Sequence, residues 1–364
     1  MLGIGASVAR VGRPWRHHAM ARRRVVTTTT IPNRLPLVDM SALMDPSSSK
    51  ATRQPALDAM RRACHEFGFF TIPASVLPPG LLTKVYTRAD EFNALPVPVK
   101  QKYHVRNVPN ARGWTPLHEE PSYEPGVVSH MEGFDVAGEL PPSYLDDDQG
   151  LGPNVWPLEL PGFRDDVMAL YEATSVVSNA LFEGFAEMLE LPRHTFRDFN
   201  TIEAQAFMRL LTYPPQDASS ASTLVDAKHV GIAAHTDFEC FTIIHQNNVG
   251  LQIKGRDGLW MDIPIASDRL FVLVGDVLEM WTNGVLVATP HRVLSAQTKR
   301  QSIVRFNGTE GKAWIEPLPP FVSRDSPAKY QRVTQRQHIQ NEMHAAEAHL
   351  KATQEALVAD KASC

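Results

Sequence analysis

The sequence predicts a mixed α/β (α+β) fold, a barrel or jelly roll of short strands with helices packed around it. Before residue 200, several segments repeat apolar residues at helical spacing. From residue 202 the texture changes to short β-branched and aromatic runs separated by turn signals. Past Pro327 the pattern becomes helical again, to a polar end.

The elements follow in order. Leu35-Pro-Leu-Val-Asp39 reads as a short strand. Pro55 opens a helix whose apolar face carries Leu57, Met60, Cys64 and Phe67, and Gly68 ends it. Phe69 to Ile72 is a buried strand, and Leu81 to Leu95 a second helix stopped by Pro96 and Pro98. Residues 104–160 are rich in Pro, Gly and Asp without clear periodicity, as expected of a functional cover. Phe163 to Leu191 is a long helix with Phe163, Val167, Leu170, Val177, Leu181 and Phe185 on one face. Strands follow at Ala206–Tyr213, Phe241–His245, Leu251–Lys254, Leu259–Ile263, Leu270–Gly275, Thr289–Val293, Ile303–Phe306 and Ala313–Ile315. Asp257-Gly258 and Asn283-Gly284 each predict a tight hairpin. About eight short strands at this spacing suggest a closed or two-layered all-β core. The resulting segments are a disordered basic extension over 1–34, a helical N-terminal region over 35–200, a core over 201–322 and a C-terminal helical segment over 323–364.

Composition bounds the function. A net charge of -4 over 364 residues supplies no basic field for nucleic acid. No run of 18 apolar residues spans a membrane. Cys64, Cys240 and Cys364 share no metal-type spacing and fit a reducing compartment, so a cytoplasmic location is expected. The first acidic residue is Asp39, preceded by Arg10, Arg13, Arg16, Arg22, Arg23, Arg24 and Arg34. Such a leader resembles a mitochondrial transit peptide, which makes that organelle the alternative address. A small molecule is the expected partner, and a monomer the default state.

The chemistry centres on His235-Thr-Asp237. Residues two apart on a strand face the same side, so both side chains can ligate one metal. His291 lies in a later strand. Two histidines and a carboxylate form the facial triad of non-haem iron(II) oxygenases, which leaves open positions for dioxygen and a cosubstrate. Nine residues beyond His291, Arg300-Gln-Ser302 puts a guanidinium and a hydroxyl on one face, a pair suited to a carboxylate. A buried Arg without a partner would be costly, so an anionic ligand is the economical reading.

The chain resembles the isopenicillin N synthase-like branch of the 2-oxoglutarate and iron(II)-dependent dioxygenases. The N-terminal half is similar through Leu35-Pro-Leu-Val-Asp39, Glu66-Phe-Gly-Phe-Phe70 and Arg112-Gly-Trp-Thr-Pro116. The core is similar through Arg209-Leu-Leu-Thr-Tyr213-Pro-Pro215, His235-Thr-Asp237, Gly250-Leu-Gln252, Gly275-Asp276, Thr282-Asn283, His291-Arg-Val293 and Arg300-Gln-Ser302. The departures are Pro73-Ala-Ser-Val76 after the Gly-Phe-Phe strand, Leu211 two before Tyr213, and Arg305 beside Phe306; they leave the substrate class open.

The resemblance implies a double-stranded β-helix. It implies Fe(II) on His235, Asp237 and His291, with 2-oxoglutarate held through Arg300 and Ser302 and a further bond from Tyr213. With dioxygen, the implied reaction is hydroxylation, desaturation or ring rearrangement of a small molecule, in specialised metabolism. Arg112, Phe207 and Phe238 are candidate substrate contacts, with Arg209, Trp114, Phe134 and Phe321 behind them. Glu239 is expected in a supporting position or at the rim rather than on the metal. His245 is expected as a sheet histidine, Cys240 as a packing residue and Asp276 as a turn residue. Two alternatives stay open. One is an oxidase of the isopenicillin N synthase or aminocyclopropane carboxylate oxidase kind, which carries the same Arg-x-Ser pair and uses no 2-oxoglutarate. The other is a non-catalytic jelly-roll binding module.

Overall fold

The computed structural model describes residues 35–146, 150–216, 229–295 and 297–362, so the basic leader lies outside the described residues. Two antiparallel sheets face each other. The larger has seven strands: β1 (Phe69–Pro73), β11 (Arg269–Val274), β8 (Phe241–Gln246), β13 (Arg300–Asn307), β5 (Phe207–Tyr213), β4 (Glu132–Ala137) and β2 (Gly113–Thr115), in that spatial order. The smaller has four: β10 (Trp260–Asp262), β9 (Leu251–Lys254), β12 (His291–Val293) and β7 (Ile232–His235). Two short pairs complete the described strands, β3 (Val128–Ser129) beside β6 (His229–Val230) and β14 (Trp314–Ile315) beside β15 (Val333–Thr334).

Period-two alternation decides which side chains enter the space between the sheets. Along β13, Val304 lies in the inter-sheet core while Ile303 faces the helices. Along β5, Leu211 and Tyr213 face inward while Met208 and Leu210 face outward. Phe69, Ile244, Ile253, Phe271, Leu273 and Val293 fill the same inner layer.

Helices cover the outer face of the large sheet. They are α1 (Ser41–Met44), α2 (Lys50–Glu66), α3 (Leu81–Asn93), α4 (Val97–Lys100) and α5 (Phe163–Met188). The expected apolar stripe of α5, Phe163 through Phe185, is fully buried. Each such side chain contributes roughly 1.5–3 kcal/mol on burial. Arg53 of α2 grips Glu187 of α5 through two hydrogen bonds, at 2.6 and 2.7 Å, which fixes one helix on the other. After the sheets, α6 (Asp276–Trp281) connects β11 to β12, and α7 (Gln335–Ala362) ends the described chain.

Several expectations are corrected. The helix α2 starts before Pro55, because the Ser49 hydroxyl caps it by accepting from the Thr52 N–H. Asn283-Gly284 closes α6 rather than a hairpin: Gly284 N–H bonds the Glu279 carbonyl and Asn283 N–H the Met280 carbonyl. Both residues have positive φ, which a helix C-cap favours as much as a hairpin does. Asp276 opens α6. Leu35–Asp39 forms a single bridge, Leu37 against Thr71. The aperiodic stretch 104–160 supplies β2 and β4 to the large sheet, so the N-terminal region is partly sheet. Asp257-Gly258 does turn β9 into β10, with Gly258 at φ 81°.

Candidate functional site

The small sheet sets two histidines opposite each other. His291 of β12 pairs in register with His235 of β7, and their rings lie 4.3 Å apart. Asp237 sits just past the end of β7, not on the strand as the spacing argument assumed. Its carboxylate still converges: Oδ1 is 3.7 Å from His235 Nε2 and 3.6 Å from His291 Nε2. The three donor atoms lie within 4.8 Å of one another, the one such group among the described residues. These separations exceed a hydrogen bond and suit a shared ion.

The surroundings orient each donor. His235 Nδ1 lies 2.8 Å from the Ala233 carbonyl, and His291 Nδ1 3.0 Å from the Thr289 carbonyl. Those carbonyls accept only from a protonated Nδ1, which leaves each Nε2 lone pair for a metal. Burial, with His291 adding to it, pushes the His235 imidazole down to about 4, so the ring is neutral near pH 7. Thr242 Oγ1 donates to Asp237 Oδ2, which leaves Oδ1 to face the histidines. The segment after Asp237 is tied down by Asp276 N–H on the Asp237 carbonyl and Val277 N–H on the Glu239 carbonyl. Gly275 permits this approach, since a Cβ there would stand 2.3 Å from the Glu239 carbonyl oxygen. Two imidazoles and one carboxylate suit iron(II) by their donor chemistry.

Arg300 lies on the neighbouring wall and is almost wholly enclosed, 1 % exposed. Its guanidinium reaches Ser302 Oγ at 3.3 Å and Gln246 Oε1 at 2.9 Å, and covers the Tyr213 ring at 4.5 Å. Among the described residues no carboxylate meets it and its Nε has no hydrogen-bond partner. A buried guanidinium with only neutral partners fits an anion arriving from outside the chain. Tyr213 contributes its ring face to Arg300; among the described residues its hydroxyl makes no hydrogen bond.

The other expected residues divide. Phe238 lies near the triad, its ring 6.0 Å from that of Tyr123. Arg112 and Phe207 meet each other, guanidinium over ring at 4.5 Å, but neither belongs to the three-donor group. Arg112 is held by the Asn110 and Gly150 carbonyls, and burial pushes its guanidinium down to about 10. Arg209 is consumed by Glu120, at 2.6 and 2.8 Å, and by Asp135 at 2.8 Å. Phe134 packs among Phe92 and Phe163 in the outer core, and the Trp114 indole bonds Glu132. Arg305 points at the helices, over the Tyr171 ring, so that departure is a packing matter. His245 bonds Tyr86 and the Ser267 carbonyl, and Cys240 is fully buried, both as expected. Glu239 stays outside the three-donor group; burial, with Asp237 and Asp276 beside it, raises its carboxyl well above the usual range.

Sequence reasoning missed Tyr123, whose ring stacks on His235 at 4.5 Å and 19°. Its segment, 116–127, has no periodicity that could have flagged it. Thr242 and Gln246 were also missed, although two-residue alternation from Ile244 on β8 would have turned both inward. The helix α7 lies against both loops: Ser122 N–H bonds the Ala346 carbonyl, and Gln335 Nε2 bonds the Phe238 carbonyl.

Two family models match. Residues 35–159 fit the non-haem dioxygenase in morphine synthesis N-terminal model, and residues 204–309 the 2OG-Fe(II) oxygenase superfamily model. A 2-oxoglutarate-dependent dioxygenase, citB of Monascus ruber, is 32% identical over 75% of this chain and 84% of its own. The 2-oxoglutarate-dependent dioxygenase tropC of Talaromyces stipitatus is 27% identical over 78% of this chain and 89% of its own. A Neurospora crassa protein solved with alpha-KG and thymine shares the fold at TM-score 0.74 and 21% identity, over 85% of this chain and 96% of that one. The rice dioxygenase for auxin oxidation does so at TM-score 0.66 and 20% identity, over 86% and 96%.

Proposed function

The chain belongs to the 2OG-Fe(II) oxygenase superfamily, and on that premise we propose that His235, Asp237 and His291 hold its iron while Arg300 and Ser302 receive the distal carboxylate of 2-oxoglutarate. The chain is a 2-oxoglutarate-dependent dioxygenase, an oxidoreductase that uses Fe(II), 2-oxoglutarate and dioxygen on a small molecule. The observation that carries the assignment of residues is the pairing of a buried Arg300 that meets only neutral described partners with three converged donors, two of them histidines whose tautomers are preset.

The iron, when bound, supplies dioxygen activation and the oxidising power. The protein's own residues do the rest. The Ala233 and Thr289 carbonyls hold a proton on each Nδ1 and turn both Nε2 atoms toward the metal position, and Thr242 keeps one carboxylate oxygen pointed inward. The Arg300 fork fixes the cosubstrate's far end, with Ser302 adding a donor and Gln246 holding the guanidinium in place. Tyr213 stiffens Arg300 by lying against it, and its hydroxyl would add a bond to the same carboxylate. Tyr123 and Phe238 form an aromatic wall beside His235 that excludes water and faces the prime substrate. Arg112 and Phe207 would meet a substrate as a pair, guanidinium over ring.

The reading extends to context. Segment 201–322 is the catalytic core, 35–200 braces it and lends it strands, and the described part of the C-terminal segment, 323–362, covers it. The partner is a small molecule of specialised metabolism, since a net charge of -4 offers no field for nucleic acid. Among the described residues no helix is long and apolar enough to cross a membrane. Buried, unpaired Cys64 and Cys240 support a reducing compartment, the cytoplasm. The test is succinate release in a substrate screen, run beside anaerobic Fe(II) titration. Succinate is expected from the parent, and neither succinate nor tight iron binding from His235→Ala. Equal iron binding in His235→Ala would sink the assignment.

A further inference from the structure

We propose that Asp135 sets substrate choice: its free carboxylate oxygen accepts a hydrogen bond from a hydroxyl group of the prime substrate, and that substrate is a neutral phenol. The inference deepens the proposed function and rests on its reading of the iron site.

Alternation places the residue. Leu211 and Tyr213 face the space between the sheets, so Arg209 on the same strand faces it too. Asp135 of β4 lies directly opposite Arg209 in the register. Its neighbours Phe134 and Val136 pack on the helical side. The 15 % of the Asp135 side chain that stays exposed therefore opens between the sheets.

Polar contacts lead from there to the metal donors. Arg209 Nε donates to Asp135 Oδ1, and its two terminal nitrogens close on both oxygens of Glu120. The Tyr123 hydroxyl donates to Glu120 at 3.5 Å, and the Tyr123 ring stands on His235. Asp135 and the three-donor group therefore border one enclosure. Within it Arg209 and Glu120 have every polar side-chain atom engaged, while Asp135 has one oxygen left over. Among the described residues its Oδ2 accepts no hydrogen bond. Burial pushes the Asp135 carboxyl above its ordinary range against the pull of Arg209, as expected of a carboxylate short of donors.

Charge decides the kind of donor. Arg209 and Arg112 both act on Asp135, and together they balance Asp135 and Glu120. An ammonium group would bring an uncompensated positive charge, and a carboxylate would repel Asp135. A neutral hydroxyl supplies the missing donor and leaves the balance as it is. Tyr123, Phe207 and Phe238 are partly exposed and offer flat apolar walls, which suit an aromatic ring. An ether in place of the hydroxyl would leave the acceptor desolvated and unpaired.

The experiment loads the full chain with Fe(II) and 2-oxoglutarate in the absence of dioxygen. Methyl-substituted phenols, their methyl ethers, the matching benzoic acids and the matching benzylamines are titrated calorimetrically. Each phenol is expected to bind roughly 10- to 100-fold more tightly than its ether. Asp135→Asn keeps the side-chain size, and its amide can donate to an ether oxygen. In that variant the phenol-to-ether ratio should fall to within a few-fold of one. An Asp135 that only braced Arg209 would weaken both probes alike, so an unchanged ratio overturns the inference. Asp135→Glu, which keeps the charge but moves the acceptor, is the second variant should the first not fold, and its ratio should fall as well. A parent that binds ethers as tightly as phenols, or binds no probe, also overturns the inference and leaves the iron site standing. So does an acid or amine that binds more tightly than the phenol. Failure of the parent to bind Fe(II) would instead remove the site assignment, and this inference with it.

Discussion

Replacing Arg300 with methionine separates two quantities that a structural arginine would move together. Arg300 is 1 % exposed and, among the described residues, meets only Ser302, Gln246 and the Tyr213 ring and leaves Nε without a partner. Without cosubstrate, no anion among the described residues compensates that buried guanidinium. An apolar side chain of similar length removes that cost, so the melting temperature of the unliganded variant should stay level or rise. Binding of 2-oxoglutarate moves the other way. Two charge-assisted hydrogen bonds are lost, at about 1.5–3 kcal/mol each. Their sum of about 3–6 kcal/mol weakens affinity roughly a hundred- to ten-thousand-fold, at about 1.4 kcal/mol per decade. Arg300→Lys keeps the charge without the planar fork and should fall between. The assay is anaerobic calorimetric titration of 2-oxoglutarate into metal-loaded protein, with melts in parallel. At a hundredfold excess over Kd the cosubstrate stabilises the parent by about 2.7 kcal/mol, a shift the variant should lose. Binding within a few-fold of the parent, or a large drop in unliganded stability, would refute the argument.

Two further outcomes follow from named contacts. Thr242→Val removes the donor to Asp237 Oδ2 at nearly constant volume. It should weaken Fe(II) binding about 10- to 100-fold in anaerobic titration; an unchanged affinity would deny Thr242 its positioning role. Arg53→Met strands Glu187 in the interface between α2 and α5 and should cost about 3–5 kcal/mol in chemical denaturation. The pH dependence has a definite sign. The Arg53 hydrogen bonds hold the Glu187 carboxyl below its ordinary range, so its contribution is complete above the unfolded value and is lost as pH falls through the folded one. The gap between parent and Arg53→Met should therefore narrow as the solution is acidified; a gap constant with pH would show that the pair is not its source.

Legibility followed periodicity. The inner face of α5 and most strands of the core were readable because burial imposes repeats of 3.6 and two residues. Segment 104–160 was not, because β2 has only three residues and β4 pairs with β5, far along the chain. Asn283-Gly284 misled because one backbone conformation serves two kinds of turn.

The sequence alone determined the chemistry: which donors the site owns, their order, and the Arg-x-Ser pair that calls for an anion. Those properties reside in residue types and short spacings. Tertiary structure decided what distance and enclosure control. It placed Asp237 beyond its strand yet within reach of both histidines, spent Arg209 on Glu120 and Asp135, and gave Arg300 only neutral partners among the described residues. It also laid Tyr123 on His235, a contact between residues 112 apart that no local pattern encodes.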